Sequence, residues 1–272
     1  MLDYSRVVVR AAEMPLLRVV FFVISAFVAS LVLVGTVQAQ RPVDFVPVGV
    51  RYELDPDPSR RQQALEEIRR LRFNVVVLPQ QPSGLETELT LVERLLGGSA
   101  DARVRMSGIA TLSAEETASA RHVRQAGWYY LGMGARGVIF GDWAALAQNA
   151  DAVTAAAEFA EHVARNAALY APLQPRVPSQ GAPDVTIEGN HPKIAARFLE
   201  SSDALLLIVT NHDSSTSHEV ILNFSPEIPE AIWQNMLTGA AVNFVAGPKG
   251  PTYTRTFAPK DVLVLMIRKR WK

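Results

Sequence analysis

Three consecutive pieces, VPVGVRY (46–52), SRRQQALEEIRRLR (59–72) and FNVVVLP (73–79), constrain the fold more than anything else in the chain. The first is a short β-branched run. In the second, Ser59 and Gln62 have capping-box spacing, and Ala64, Leu65, Ile68 and Leu71 recur on one helical face. The third is apolar almost throughout, as expected of a parallel strand covered on both faces. Strand, helix and strand within about 35 residues make a βαβ unit, which commits this part of the chain to α/β architecture.

The alternation continues. LETELTLVERLLGG (85–98) reads as a helix stopped by Gly97 and Gly98, and ARVRMSGIAT (102–111) as a third strand. Ser113 and Glu116 form a second capping box, opening a helix that runs through Trp128, Tyr129 and Tyr130 to Gly132 and Gly134. RGVIFGDW (136–143) is a fourth strand, followed by an alanine-rich helix over 151–170. Such alternation predicts a mostly parallel sheet.

Pro172, Pro175, Pro178 and Pro183 then mark a change of composition. Beyond them IAARFLES, ALLLIVTNH, HEVILNF, AIWQNMLTG, AVNFV, TYTRTFA and DVLVLMIRK are short, β-rich and separated by turn residues. Seven such segments predict an antiparallel sandwich. The expected organisation is an N-terminal segment over 1–40, an α/β domain over 41–171, a proline-rich linker over 172–190 and a β-sandwich over 191–272.

The N-terminal segment carries Arg6, Arg10 and Arg18 ahead of an uncharged stretch from Val19 to Gln40. As a helix it would span about 33 Å, enough to cross a bilayer. Val37-Gln38-Ala39 suits signal-peptidase cleavage before Gln40. A cleaved signal peptide and a membrane anchor both place the rest of the chain outside the cytoplasm, periplasmic, secreted or tethered. With 27 basic and 27 acidic side chains there is no field to attract nucleic acid. The absence of cysteine excludes disulfides and thiolate chemistry.

Several segments together resemble glycoside hydrolases with (β/α)8 barrels, especially family 42 β-galactosidases. GVRYELDPDPSRRQQALEEIRRLRFNVVVLP is similar to their first strand, helix and second strand. LSAEETASARHVRQAGWYYLGMGARGVIFGDW resembles their last helix and strand, and 203–268, with WQNMLTG and FAPKDVLVL, their closing all-β domain. The resemblance implies a reduced barrel-like domain followed by a sandwich. A full barrel takes about 250 residues, whereas about 125 lie between Val46 and Tyr170. The family's general acid stands in an Asn-Glu dipeptide that this sequence lacks, and its nucleophilic Glu would fall in MSGIATLS, which has no carboxylate. Glycoside hydrolysis ordinarily requires two carboxyls flanking one bond.

Ligands of parallel α/β folds bind at the carboxyl ends of strands. Tyr52 and Glu53 end the first strand, Gln80 and Gln81 the second, Asp142 and Trp143 the last. Trp143 beside Asp142 makes a sugar-binding pair, a stacking face with a hydrogen-bond acceptor; alternatively Trp143 packs between helices and Asp142 caps the next one. Glu53 and Asp142 are the best remaining acid pair if the first and last strands adjoin, with a solvated turn as the alternative for Glu53. His212, Asp213, His218 and Glu219 flank a DSSTS turn and read as solvated turn residues, so no metal is expected. No G-x-S-x-G elbow or G-x-x-x-x-G-K loop occurs, so no hydrolase triad and no nucleotide cofactor are expected. The 128–130 aromatics offer core or a partner-facing patch, and self-association is one way to cover the edges of a shortened barrel.

The functional expectation is an exported glycoside-hydrolase-like protein that recognises carbohydrate, or supports an envelope polysaccharide system, without catalysis. The alternatives are an active glycosidase with relocated carboxylates Glu53 and Asp142, and a scaffold binding a protein partner.

Overall fold

The computed structural model describes residues 45–78, 88–97, 104–105, 108–178, 181, 183–189, 191–229, 231–247 and 250–269. The signal-like stretch 19–40 therefore lies outside the described residues, and among those described no helix is long and apolar enough to cross a membrane. Residues 42–272 form one compact unit of mixed α/β structure, with three sheets among the described residues.

The first sheet holds β1 (Val48–Arg51), β2 (Val75–Val77), β3 (Glu88–Leu91), β4 (Val104–Arg105), β5 (Ile109–Thr111) and β6 (Gly137–Asp142), in the order β4-β3-β2-β1-β6-β5. β1 runs parallel to β2 and β6, and β5 parallel to β6, while β3 is antiparallel to β2 and β4. Of the helix expected over 85–98, the described residues Glu88–Leu91 are instead a strand and only α2 (Val92–Leu95) is helical. E-L-T-L at 88–91 has a period of two, and pairing with β2 satisfies backbone groups that β2 would otherwise expose at an edge. The strand expected at 102–111 is split into β4 and β5 at opposite edges of the sheet. Four peptide steps connect Arg105 to Ile109, a reach of at most about 14 Å. A flat six-stranded sheet is about 24 Å from edge to edge. The sheet is therefore curled until its edges approach one another.

Side-chain parity sorts the two faces. Val48, Val50, Val76, Val138 and Phe140 face the helices, whereas Val75, Val77 and Ile139 form a separate small cluster on the other face. A sheet curled this tightly has no room for helices inside, so the second face is the inner one. Glycine makes the close approach there: a Cβ on Gly49 would lie 2.0 Å from the Val75 carbonyl oxygen, and one on Gly137 2.4 Å from that of Pro47.

Helix α1 (Pro58–Arg70) is capped by Asp57, whose carboxylate accepts from the Ser59 amide at 2.8 Å, with Pro58 in the first turn where no N–H is needed. The box expected between Ser59 and Gln62 does not form; the Gln62 amide donates to Glu66 at 2.7 Å. The Ser113–Glu116 box does form, at 2.8 and 3.3 Å, but closes only a turn. Helix α3 (Ala120–Gly132) starts later, capped by Ser119. After the short α4 (Trp143–Leu146), helix α5 (Ala150–Arg165) buries Ala152, Ala155, Ala156 and Ala160, small residues that let α3 come close. Trp128 of α3 meets Phe159 edge-on at 5.2 Å. A last short helix, α6 (Ala167–Tyr170), sets the Tyr170 hydroxyl 2.8 Å from His162 Nε2.

The remaining strands are β7 (Gln174–Pro175), β8 (Val185–Ile187), β9 (Ile194–Glu200), β10 (Ala204–Asn211), β11 (His218–Phe224), β12 (Ile232–Asn235), β13 (Ala241–Asn243), β14 (Val245–Gly247), β15 (Gly250–Phe257) and β16 (Val262–Arg268). They form two facing sheets, β13-β12-β16-β10-β9-β7 and β14-β15-β11-β8. β10 is buried at every position because both its faces are covered. Leu206 and Ile208 join the core beneath α3, while Leu205, Leu207 and Val209 join the core between the sheets. The proline-rich stretch supplies β7, paired with β9, and β8, paired with β11. Arg176, between them, donates to Asp184, Glu200 and Glu227 at 3.0, 2.8 and 3.1 Å.

Candidate functional site

The first and last parallel strands adjoin. β1 pairs with β6 with Arg51 opposite Asp142, and an irregularity between Gly49 and Arg51 shifts the register by one residue. The carboxyl ends of the two strands therefore lie side by side, with Arg51, Tyr52 and Glu53 next to Gly141, Asp142 and Trp143. The turn after β5 borders them, its Leu112 carbonyl 3.4 Å from where a Gly141 Cβ would stand.

Four of the residues singled out in the sequence, Tyr52, Glu53, Asp142 and Trp143, have a definite place at this edge. Trp143 is 7% exposed and belongs to the main core, meeting Phe73 edge-on at 6.5 Å. Its indole packs under the edge, where a sugar cannot reach its face without displacing the core. The Asp142 carboxylate points outward but accepts from the Ala145 amide at 3.1 Å, so it caps α4. Tyr52 is buried in the same core, and its hydroxyl has no hydrogen-bond partner among the described residues. An unpaired buried hydroxyl costs about 1–3 kcal/mol. Glu53 is exposed. Gln80 and Gln81 lie outside the described residues.

Two further side chains belong to the edge. Arg51 is exposed and has no ion pair among the described residues. Its signal was available in the parity of VGVR, since Val48 and Val50 face the helices and Gly49 and Arg51 do not. Glu116 is held on both carboxylate oxygens: one accepts from the amide and hydroxyl of Ser113 at 2.8 and 2.9 Å, the other from the Tyr130 hydroxyl at 2.9 Å. Burial, and then the neighbouring Glu116, push the Tyr130 phenol above its ordinary range, so it remains a donor.

The sandwich histidines serve local structure. The Asp213 carboxylate accepts from the amides of Ser215 and Thr216 at 2.9 and 3.0 Å and lies 3.2 Å from His218 Nε2. Those amide hydrogen bonds hold its carboxyl far below the usual range. His212 joins the layers, with Nδ1 3.0 Å from the Gln125 amide of α3, Nε2 3.1 Å from the Thr210 hydroxyl, and its ring edge-on to Tyr129 at 4.5 Å. Trp128 is core, and Tyr129 and Tyr130 are spent on contacts within the chain. Among the described residues no group of three or more His, Asp or Glu could hold a metal ion.

No protein-family model and no curated protein matches the sequence. Several solved structures match parts of the chain. A catalytic mutant of a GH42 β-galactosidase from G. stearothermophilus is 10% identical over 31% of this chain and 10% of its own, with a TM-score of 0.20. A GH27 β-L-arabinopyranosidase from Geobacillus stearothermophilus, in complex with arabinose, is 9% identical over 64% of this chain and 34% of its own, at a TM-score of 0.34. A GH30 endoxylanase from Clostridium papyrosolvens is 10% identical over 56% and 39%, also at 0.34. All three are glycoside hydrolases, from three different families, so the similarity does not single out family 42. This chain spans between a tenth and two fifths of their lengths.

Proposed function

We propose that this protein is an exported, reduced glycoside-hydrolase-like module that recognises carbohydrate without hydrolysing it. The observation that carries the reading is the parallel pairing of β1 with β6, which brings Arg51, Glu53 and Asp142 to one carboxyl edge. The curl of the first sheet, and the family-like segments 49–79, 112–143 and 203–268, support a barrel shortened in its middle. Arg51 donates to sugar hydroxyls while Glu53 and Asp142 accept from them. Tyr52 and Trp143 hold the edge from below, and Gln80, which follows β2 in the sequence, is the remaining residue of the proposed ligand-binding set. The engagement of two of the carboxylates supports the absence of catalysis. Hydrolysis uses one as proton donor and another as nucleophile or base, whereas Asp142 is engaged as a helix cap and Glu116 is tied by three hydrogen bonds. Arg6, Arg10 and Arg18 before the uncharged 19–40 stretch support export, cleaved or tethered.

Binding of the full chain to a broad glycan array, beside turnover of chromogenic glycosides, tests this. Glycan binding without turnover is expected, with Glu53→Gln and Asp142→Asn each weakening it about tenfold, the loss of one charge-assisted hydrogen bond. No binding to any glycan would refute it. The adjacency of Glu53 and Asp142 also favours a second reading, an active glycosidase using that pair; turnover abolished by Glu53→Gln in a folded variant would establish it in place of the first.

A further inference from the structure

A cavity of about 580 Å³ lies away from the strand edge, walled by α3, α5 and the sandwich turns at 237 and 258–262. Its volume is that of a small-ligand site. Arg121 and Arg124 face it from α3, spaced on one helical face with the buried Trp128 behind them. Lys260 and Asp261 face it from the turn between β15 and β16.

The charges do not cancel. Arg124 is paired with Glu158 at 2.8 Å, and Asp261 with Arg255 at 2.8 Å. Arg121 and Lys260 have no carboxylate partner among the described residues, which leaves the cleft with two uncompensated cations. The His162 imidazole adds no charge near neutral pH, because burial and then Arg165 hold it below its ordinary value. Lys260 also occupies its place at a cost. Its φ is 57°, the left-handed region that an ordinary side chain enters rarely. The turn fixes it there: the Lys260 amide donates to the Asp213 carbonyl at 2.9 Å, and the Asp261 amide to that of Ala258 at 3.0 Å. Glycine would suit this backbone better, so a lysine here spends stability to keep an ammonium on the cleft. Leu237, 41% exposed, and Pro259 add an apolar wall.

We propose that this cleft binds an acidic sugar, a uronate whose carboxylate is held between Arg121 and Lys260 while the ring lies against Leu237 and Pro259. The proposal rests on the carbohydrate reading above but concerns a different surface. A guanidinium matches a carboxylate with two parallel hydrogen bonds. Two unpaired cations give a neutral sugar no preference, and a bare anion gains nothing from the apolar wall.

Calorimetric titration of the full chain with digalacturonate, neutral digalactose and inorganic phosphate tests the assignment. Digalacturonate is expected to bind at least tenfold more tightly than digalactose, and more tightly than phosphate. Arg121→Gln and Lys260→Gly should each weaken it about tenfold and leave binding of neutral glycans at the strand edge unchanged. Lys260→Gly relieves the left-handed backbone, so its melting temperature should not fall and lost binding is not lost folding. Equal affinity for the acidic and neutral sugars overturns the proposal, as does phosphate binding as tightly as digalacturonate, or variants that bind like the parent. Neutral glycan bound at the edge with no digalacturonate in the cleft defeats this inference alone; no sugar bound anywhere defeats the carbohydrate reading as well.

Discussion

Replacing Trp143 with alanine asks whether that indole is a surface platform or a core side chain. The ring is 7% exposed, sits in the cluster that holds Phe73 and Phe140, and meets Phe73 edge-on at 6.5 Å. A tryptophan buried to this extent withdraws about 200 Å² of surface from water, or about 5 kcal/mol at about 25 cal/mol per Å². The methyl that remains, and partial collapse of the cavity, bring the expected loss to about 3–5 kcal/mol. Total stabilities run to about 5–15 kcal/mol, so the variant should be gravely weakened. At about 2–4 °C per kcal/mol for a unit of this size, the melting temperature should fall by about 6–20 °C. An exposed stacking platform would change stability by about 0.5 kcal/mol or less. Calorimetric melts of parent and variant decide between the two. A Trp143→Ala protein melting within about 2 °C of its parent would refute the burial argument and return the indole to the list of sugar-binding side chains.

Asp142→Ala should lose about 1 kcal/mol as α4 loses its cap, and Asp142→Asn almost nothing, because asparagine caps equally well; equal losses in urea unfolding would contradict the capping role. Arg176→Met should cost about 2–3 kcal/mol, a buried-pair loss reduced because two of its three carboxylate partners are about a third exposed. A change below about 0.5 kcal/mol would show the cluster to be ornamental. His162 and His212 titrate below their ordinary value of 6.5, through burial and then Arg165 for the first and burial and then Lys260 for the second. The unfolded chain therefore binds their protons first. Stability should be flat above about pH 6.5, fall as pH drops below it, and level off beneath the folded values; a urea midpoint that rises from pH 7.5 to pH 5 would contradict this. Glu200 falls in a lower window. Burial raises its carboxyl, but the Lys269 ammonium and Arg176 guanidinium outweigh it and hold the group below the ordinary range, so its contribution is present above about pH 4.3 and lost on further acidification.

Local periodicity made most elements legible. The βαβ unit, β6 and the long sandwich strands each carry an apolar pattern of one period, and each formed where that pattern lay. ELTLVERLLGG supports two periods at once, and the choice of strand for its first half depends on β2 needing an antiparallel neighbour, a tertiary fact. The 172–190 stretch read as a linker because prolines suppress strand propensity, yet edge strands such as β7 tolerate a residue without an N–H. At the site, sequence located the strand ends but not the side of the chain that each residue takes. Asp142 and Trp143 diverge there, one outward as a cap and the other into the core. Arg121 and Lys260 are far apart in sequence, and no local pattern connects them.

What connects them is α3, which presents three different stripes. Gln125, Tyr129 and Gly132 face the sandwich: Gln125 and Tyr129 meet His212, and a Cβ on Gly132 would lie 3.4 Å from Ile208. Arg121, Arg124 and Trp128 face α5 and the cleft. Val123 and Ala126 lie in the core shared with the first sheet. With the sandwich-facing and sheet-facing stripes both packed against other elements, Gln125 comes to be 5% exposed with its amide satisfied by a histidine 87 residues away. The cleft cations are thus set by a rigid element docked on the sheet whose next turn carries Lys260, the arrangement that holds a binding geometry best. Disturbing the 125-129-132 stripe should shift Arg121 relative to Lys260 while β1 and β6, held by their own ladder, keep Arg51 and Asp142 opposite each other.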